Sequence, residues 1–99
     1  MPQCLLVLHA LEGVGPAARK AFFDAIFEAS PEHWPLHAGA TLVATGLSPA
    51  YLRDHLRRAL NAEGAPELLL LVCPISGTPA WAGLPPEGEA WLREVLAEA

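Results

Sequence analysis

His9 and Glu12 are the residues whose types and spacing are most suggestive of chemistry in this chain of 99 residues. An imidazole can transfer protons near neutral pH or bind a metal ion, and a carboxylate can do the same. His9 stands near the exit of an apolar run and Glu12 follows three positions later. One histidine and one carboxylate make an incomplete site. We therefore favour a packed or hydrogen-bonded His9 over a catalytic one.

The remaining histidines and the two cysteines do not form a metal-binding pattern. His33 and His37 lie on one side of a predicted strand, but four residues of strand span about 13 Å, too far to bind one ion. Cys4 and Cys73 lack the spacing of zinc ligands. If the first and last strands pair antiparallel, the two sulfurs become neighbours, and a disulfide bridge is one interpretation; in a cytoplasmic protein we favour two reduced, buried thiols. The sequence therefore predicts no metal site and no cofactor.

Basic side chains on two predicted helices are the candidates for contacting a nucleic acid. They are Arg19, Lys20, Arg53, Arg57 and Arg58. Against this, Asp54 is interleaved among them, and solvated helix faces commonly carry such charges. The whole chain has 6 basic and 11 acidic residues, a net charge of −5, which argues against a broad nucleic-acid-binding face. We favour a solvated surface.

The elements that must position these residues follow a β-α-β-β-α-β order, with a loop and a last helix after it. Proline and glycine punctuation and apolar spacing predict strands at Gln3–Leu11, His33–His37, Ala40–Thr45 and Glu67–Pro74, and helices at Ala17–Ser30, from Ser48-Pro49 to Glu63-Gly64, and at Pro86–Glu98. This order predicts an α+β domain of ferredoxin-like fold, with an antiparallel sheet in the order 4-1-3-2 and two helices on one face.

The chain length allows a single domain over residues 1–99, with a core at 1–75 and a C-terminal extension at 76–99. Hydrophobic residues make up 53% of it, more than one small core can hide. The first strand is apolar on both faces although helices cover only one, and the fourth is an apolar edge. We predict a homodimer contacted by the extension, with interface residues Leu68, Leu70, Val72, Ile75 and Trp81. No apolar run reaches the roughly 20 residues of a membrane span, and a cytoplasmic location is expected.

Several segments together resemble a family of small bacterial proteins. The segments are Ala40–Thr45, Leu47–Arg58, Glu67–Ile75 and Trp81–Leu84. They are similar to uncharacterised proteins related to the CRISPR-associated nuclease-like adaptation subunits and to virulence-associated toxin ribonucleases. The resemblance implies a ferredoxin-like fold and a homodimer in which segments after the fourth strand cross to the partner.

The chain departs from the nucleases of that superfamily at the end of its first strand. Those enzymes carry an aspartate there, and the pair in a dimer holds a divalent metal that activates water. Ala10 stands at the corresponding position and cannot bind a metal. Our leading interpretation is a non-catalytic homodimeric module that associates with protein or nucleic acid. The alternative is a metal-dependent ribonuclease that binds Mg²⁺ or Mn²⁺ through His9 and Glu12 of both subunits.

Overall fold

The computed structural model describes residues 2–65 and 67–98. Within those residues, four strands and three helices follow one another along the chain. They are β1 (Gln3–His9), α1 (Pro16–Ala29), β2 (Trp34–His37), β3 (Ala40–Thr45), α2 (Pro49–Ala62), β4 (Leu70–Pro74) and α3 (Pro86–Glu98). The predicted α+β class is confirmed, as are the bounds of β3 and α3.

The strands form one open antiparallel sheet in the order β2-β3-β1-β4. β1 and β3 therefore lie in the middle, and β4 lies at an edge. The predicted extension of β1 to Leu11 is wrong, because β1 ends at His9. The predicted start of β4 at Glu67 is also wrong. The ladder with β1 closes where the Ala10 amide bonds to the Leu69 carbonyl.

α1 and α2 pack side by side on one face of the sheet. Both begin at a proline in the first turn, and the Ser48 hydroxyl caps α2 by accepting a hydrogen bond from the Tyr51 amide at 3.1 Å. Their buried side chains pack with Leu5, Val7 and Val43 of the sheet. Phe27, the residue after Ile26, is 57% exposed. The buried face of α1 is centred on Phe22 and Ile26. The side chain of Phe27, one residue after Ile26, therefore points away from the sheet.

α3 packs on the opposite face of the sheet, so the expectation that helices cover only one face is wrong. The side chains of Leu92 and Val95 on α3 are buried in one cluster with Cys4 of β1 and Leu42 of β3. Gly88, in the first turn of α3, lies so close to Trp34 that an added Cβ would stand 2.6 Å from two indole atoms. This close approach fixes the start of α3 over β2.

The loop between β4 and α3 covers part of the same face. Ile75, Trp81 and Leu84 are partly buried against the cluster that α3 forms with the sheet. The Trp81 indole N–H donates to the Glu89 carboxylate at 3.1 Å, and Arg93 lies over the indole ring. The extension is thus used within its own chain. Its contact with a second chain stays a prediction. Within residues 2–65 and 67–98, none of the helices is both long and apolar enough to cross a membrane.

Candidate functional site

An apolar strip crosses the half of the sheet face that α3 leaves uncovered. It consists of Leu8, Leu36, Ala40, Leu69 and Leu71. The register sets Leu8 opposite Ala40 on one side and Leu71 on the other. Because side chains alternate along a strand, Leu8, Ala40, Leu69 and Leu71 share one face. Leu36 lies on the same face, since it lines one groove with Leu6 and Leu42. Leu69 is 67% exposed and Leu71 is 51% exposed, so the strip ends in two leucines open to solvent at the β4 edge.

The outer edge of β4 carries backbone groups that the sheet does not use. The Ala10 amide donates to the Leu69 carbonyl, and the Ile75 amide donates to the Cys4 carbonyl. These two hydrogen bonds show which residues of this segment direct their backbone groups toward β1. In an antiparallel ladder such residues alternate with residues whose N–H and C=O point away from the neighbour. Leu70 and Val72 are the residues whose backbone N–H and C=O groups point away from β1, although their side chains pack against the core. The segment 68–74 has no charged residue to discourage further pairing.

The predicted interface residues lie mostly on the inner sides of the fold. Leu68, Leu70 and Val72 pack partly buried against the core under α1 and α2, and Ile75 and Trp81 pack under α3. Their role in an interface stays a prediction. The alternate residues Leu69 and Leu71 are the exposed ones, and they were missed. A run apolar at every position carries no alternation from which to choose a side, so only the pairing register separates the two sets.

A cleft of about 210 Å³ opens at the end of β1, and His9, Glu12, Arg19 and His37 are among its lining residues. His9 itself is only 4% exposed. Its Nε2 forms a hydrogen bond with the Thr41 hydroxyl at 3.0 Å, and its ring packs on two phenylalanine rings. Burial, helped by the charge of Arg19, lowers the pKa of the imidazole. The expectation of a packed, hydrogen-bonded His9 is confirmed.

The described residues do not assemble a metal site in this cleft. Glu12 and Ala10 are exposed at its rim, and no group of three or more histidine, cysteine or acidic side chains comes together in residues 2–65 and 67–98. The His9 imidazole is already bonded to Thr41 through one nitrogen, and its Nδ1 is buried without a hydrogen-bond partner in the described part of the chain. The nuclease with Mg²⁺ or Mn²⁺ at His9 and Glu12 stays a prediction, and no observation of the structure favours it.

The basic residues predicted to contact nucleic acid are exposed, and each of them contacts a carboxylate or an aromatic ring of the same chain. Lys20 pairs with Asp24, Arg53 with Asp54 and Arg57 with Glu67, while Arg19 lies over the Phe23 ring and Arg58 over the Tyr51 ring. The hydrogen bond from Arg53 lowers the pKa of Asp54. Carboxylates thus balance three of the five charges locally. Nucleic-acid binding by these residues stays a prediction.

The two cysteines are free thiols on the α3 side of the sheet. The predicted antiparallel pairing of β1 with β4 is confirmed, but its register sets Cys73 opposite Leu6. The backbone carbonyl of Cys4 accepts a hydrogen bond from the Ile75 amide, which places Cys4 opposite Ile75. The two cysteines are therefore two register positions apart. Burial raises the pKa of the Cys4 thiol, which disfavours the reactive thiolate.

No protein-family model, no curated protein and no solved structure matches the chain. The resemblance to the CRISPR-associated and toxin-ribonuclease superfamily therefore stays a prediction.

Proposed function

We propose that this protein is a cytoplasmic, non-catalytic module of ferredoxin-like fold that acts by association, first of all with a second copy of itself. The observation that carries the proposal is the apolar strip, which remains exposed beside the free edge of β4 after α3 has covered the other half of the face. The strand order supports the ferredoxin-like assignment, because β2-β3-β1-β4 is the expected 4-1-3-2 when counted from the β4 edge.

The exposed leucines of the strip can supply much of the free energy that a dimer needs. Burying a fully exposed leucine contributes about 1.5–3 kcal/mol. Leu69 and Leu71 are each more than half exposed, so these two residues in two copies contribute roughly 4–7 kcal/mol. Micromolar association requires about 8 kcal/mol. The leucines therefore supply a large share of the free energy of association. Other parts of the strip or the strand edge must supply the rest, and they must also offset the entropy that two chains lose when they associate.

Light scattering during gel filtration, from about 1 to 100 μM in protein, tests the proposal. We expect a particle of twice the 10.5 kDa chain mass. Replacing both Leu69 and Leu71 with serine should shift it toward the single-chain mass. Phe27→Ser is the matched control, because Phe27 is similarly exposed but lies on α1, away from the strip. A single-chain mass at every concentration would refute self-association, and equal loss in the control would refute the assignment to the strip.

A further inference from the structure

We infer that two copies of this chain pair antiparallel along their β4 edges, about a two-fold axis at Leu71, to form one continuous sheet of eight strands. The inference rests on the proposed self-association and names its geometry. It follows from the backbone of β4, from the side chains that this pairing brings together, and from a difference between the two edges of the sheet.

The backbone of β4 matches a second copy of itself in one register. An axis at Leu71 sets Leu70 of each copy opposite Val72 of the other. Both residues have outward N–H and C=O groups, so each pair exchanges two hydrogen bonds and none of these groups is left over. An axis at Val72 would instead set the Leu70 carbonyl against Pro74, which has no N–H to donate. An axis at Leu70 would need Leu68, which lies before the strand.

The side chains support the same register. Leu71 at the axis meets its own copy in a non-hydrogen-bonded position, where the Cα atoms of paired residues are about 4.5 Å apart. Leu71 lies on the α3 side of the sheet, where it is half exposed within one chain. Pairing therefore joins the two apolar strips into one surface across the axis and covers the leucines at its centre. Leu69 would face Cys73 of the second copy in the next pair on that face.

The two edges of the sheet differ in their capacity to pair. β2, at the far edge, carries Pro35 within its four residues and an irregular register between Pro35 and His37. Proline and irregular pairing are devices by which proteins block edge-to-edge association. β4 has a proline only at its end and no charged residue. One protected edge and one open edge predict a closed pair of two chains, whereas two open edges would propagate a longer assembly.

Charge exchange at the axis tests the geometry. Leu71→Lys and Leu71→Glu should each fold, because the side chain is half exposed in a single chain, and circular dichroism checks this. Each variant alone places like charges opposite each other at the axis and should dimerise at least about tenfold more weakly than the native chain. An equimolar mixture places lysine opposite glutamate and should restore the dimer. Phe27→Lys is the control, because Phe27 is exposed on α1 and lies outside the strip, and it should leave the dimer intact.

A cross-link separates failure of this geometry from failure of self-association. Leu71→Cys, in a chain with Cys73→Ser, should form a disulfide-linked dimer under mild oxidation, because about 4.5 Å between Cα atoms lies within disulfide range. Leu36→Cys in the same background should not. A native dimer in which the charge mixture is not restored and Leu71→Cys does not cross-link would overturn the edge pairing and leave the proposed function standing. A native chain that is monomeric throughout would overturn both, and so would a β4 edge that pairs only with a strand of a different protein.

Discussion

Replacing Gly88 with alanine is the perturbation whose effect follows most directly from the structure. A Cβ at this position would stand 2.6, 2.6 and 2.8 Å from three atoms of the Trp34 indole. Non-bonded carbon atoms are attracted most at about 3.5–4.0 Å, so the indole and the start of α3 must separate by roughly 1 Å. Trp34 lies on β2, and Gly88 is buried in the first turn of α3. The substitution therefore loosens the attachment of α3 to the sheet.

The magnitude follows from two opposing effects. Overpacking a close contact costs about 1–3 kcal/mol, whereas alanine favours a helix over glycine by up to about 1 kcal/mol in its interior and by less in the first turn. We expect a net loss of about 1–2 kcal/mol in the free energy of unfolding. For a domain of this size, each kcal/mol lowers Tm by roughly 4–8 °C, so the expected decrease is about 4–16 °C.

Thermal and urea unfolding, followed by circular dichroism at one fixed protein concentration, measure this change, because association makes Tm concentration-dependent. Gly46→Ala is the matched control, since no atom lies within 4 Å of the added Cβ and its φ is ordinary. Combining Gly88→Ala with Trp34→Phe should recover part of the loss, because the smaller ring makes room. A Tm for Gly88→Ala at or above that of the native chain would refute the packing of α3 on β2.

Two further perturbations test individual contacts. Because burial and the Arg19 charge lower the pKa of His9 in the folded chain, the unfolded chain takes up this proton first as pH falls. His9 therefore destabilises the protein below about pH 6.5, by up to about 1.4 kcal/mol per pH unit until its folded pKa is reached. Urea unfolding at several pH values should show that the free energy of unfolding falls less steeply with decreasing pH in His9→Phe than in the native chain; equal slopes would contradict the burial of a neutral imidazole. Ser48→Ala removes the acceptor of the Tyr51 amide and should lower the free energy of unfolding by about 0.5–2 kcal/mol; an unchanged free energy of unfolding would indicate that the cap contributes little.

Much of the local structure could be predicted from the sequence, because its signals lie within a few residues of one another. Ser48 followed by Pro49 starts α2 where the capping pattern indicates, and Gly64 follows its end. The predicted strands at His33–His37 and Ala40–Thr45 leave a turn at Ala38-Gly39 between them, and the structure has a turn there. His9 was rightly expected to be packed, because it ends an apolar run with a single carboxylate nearby. For these features, composition and spacing are sufficient.

The tertiary structure decided what depends on contacts between distant parts of the chain. In Leu68–Val72 every side chain is apolar, so the sequence cannot say which leucines face the helices. The register with β1 alone turns Leu70 inward and Leu71 outward. The docking of α3 likewise depends on the fit of Gly88 against Trp34, residues far apart in the chain. The amino-acid sequence by itself determined the class of fold and most of its elements. The three-dimensional pairing determined which surface is left for a partner, because exposure is a property of the packed sheet and not of any local stretch of residues.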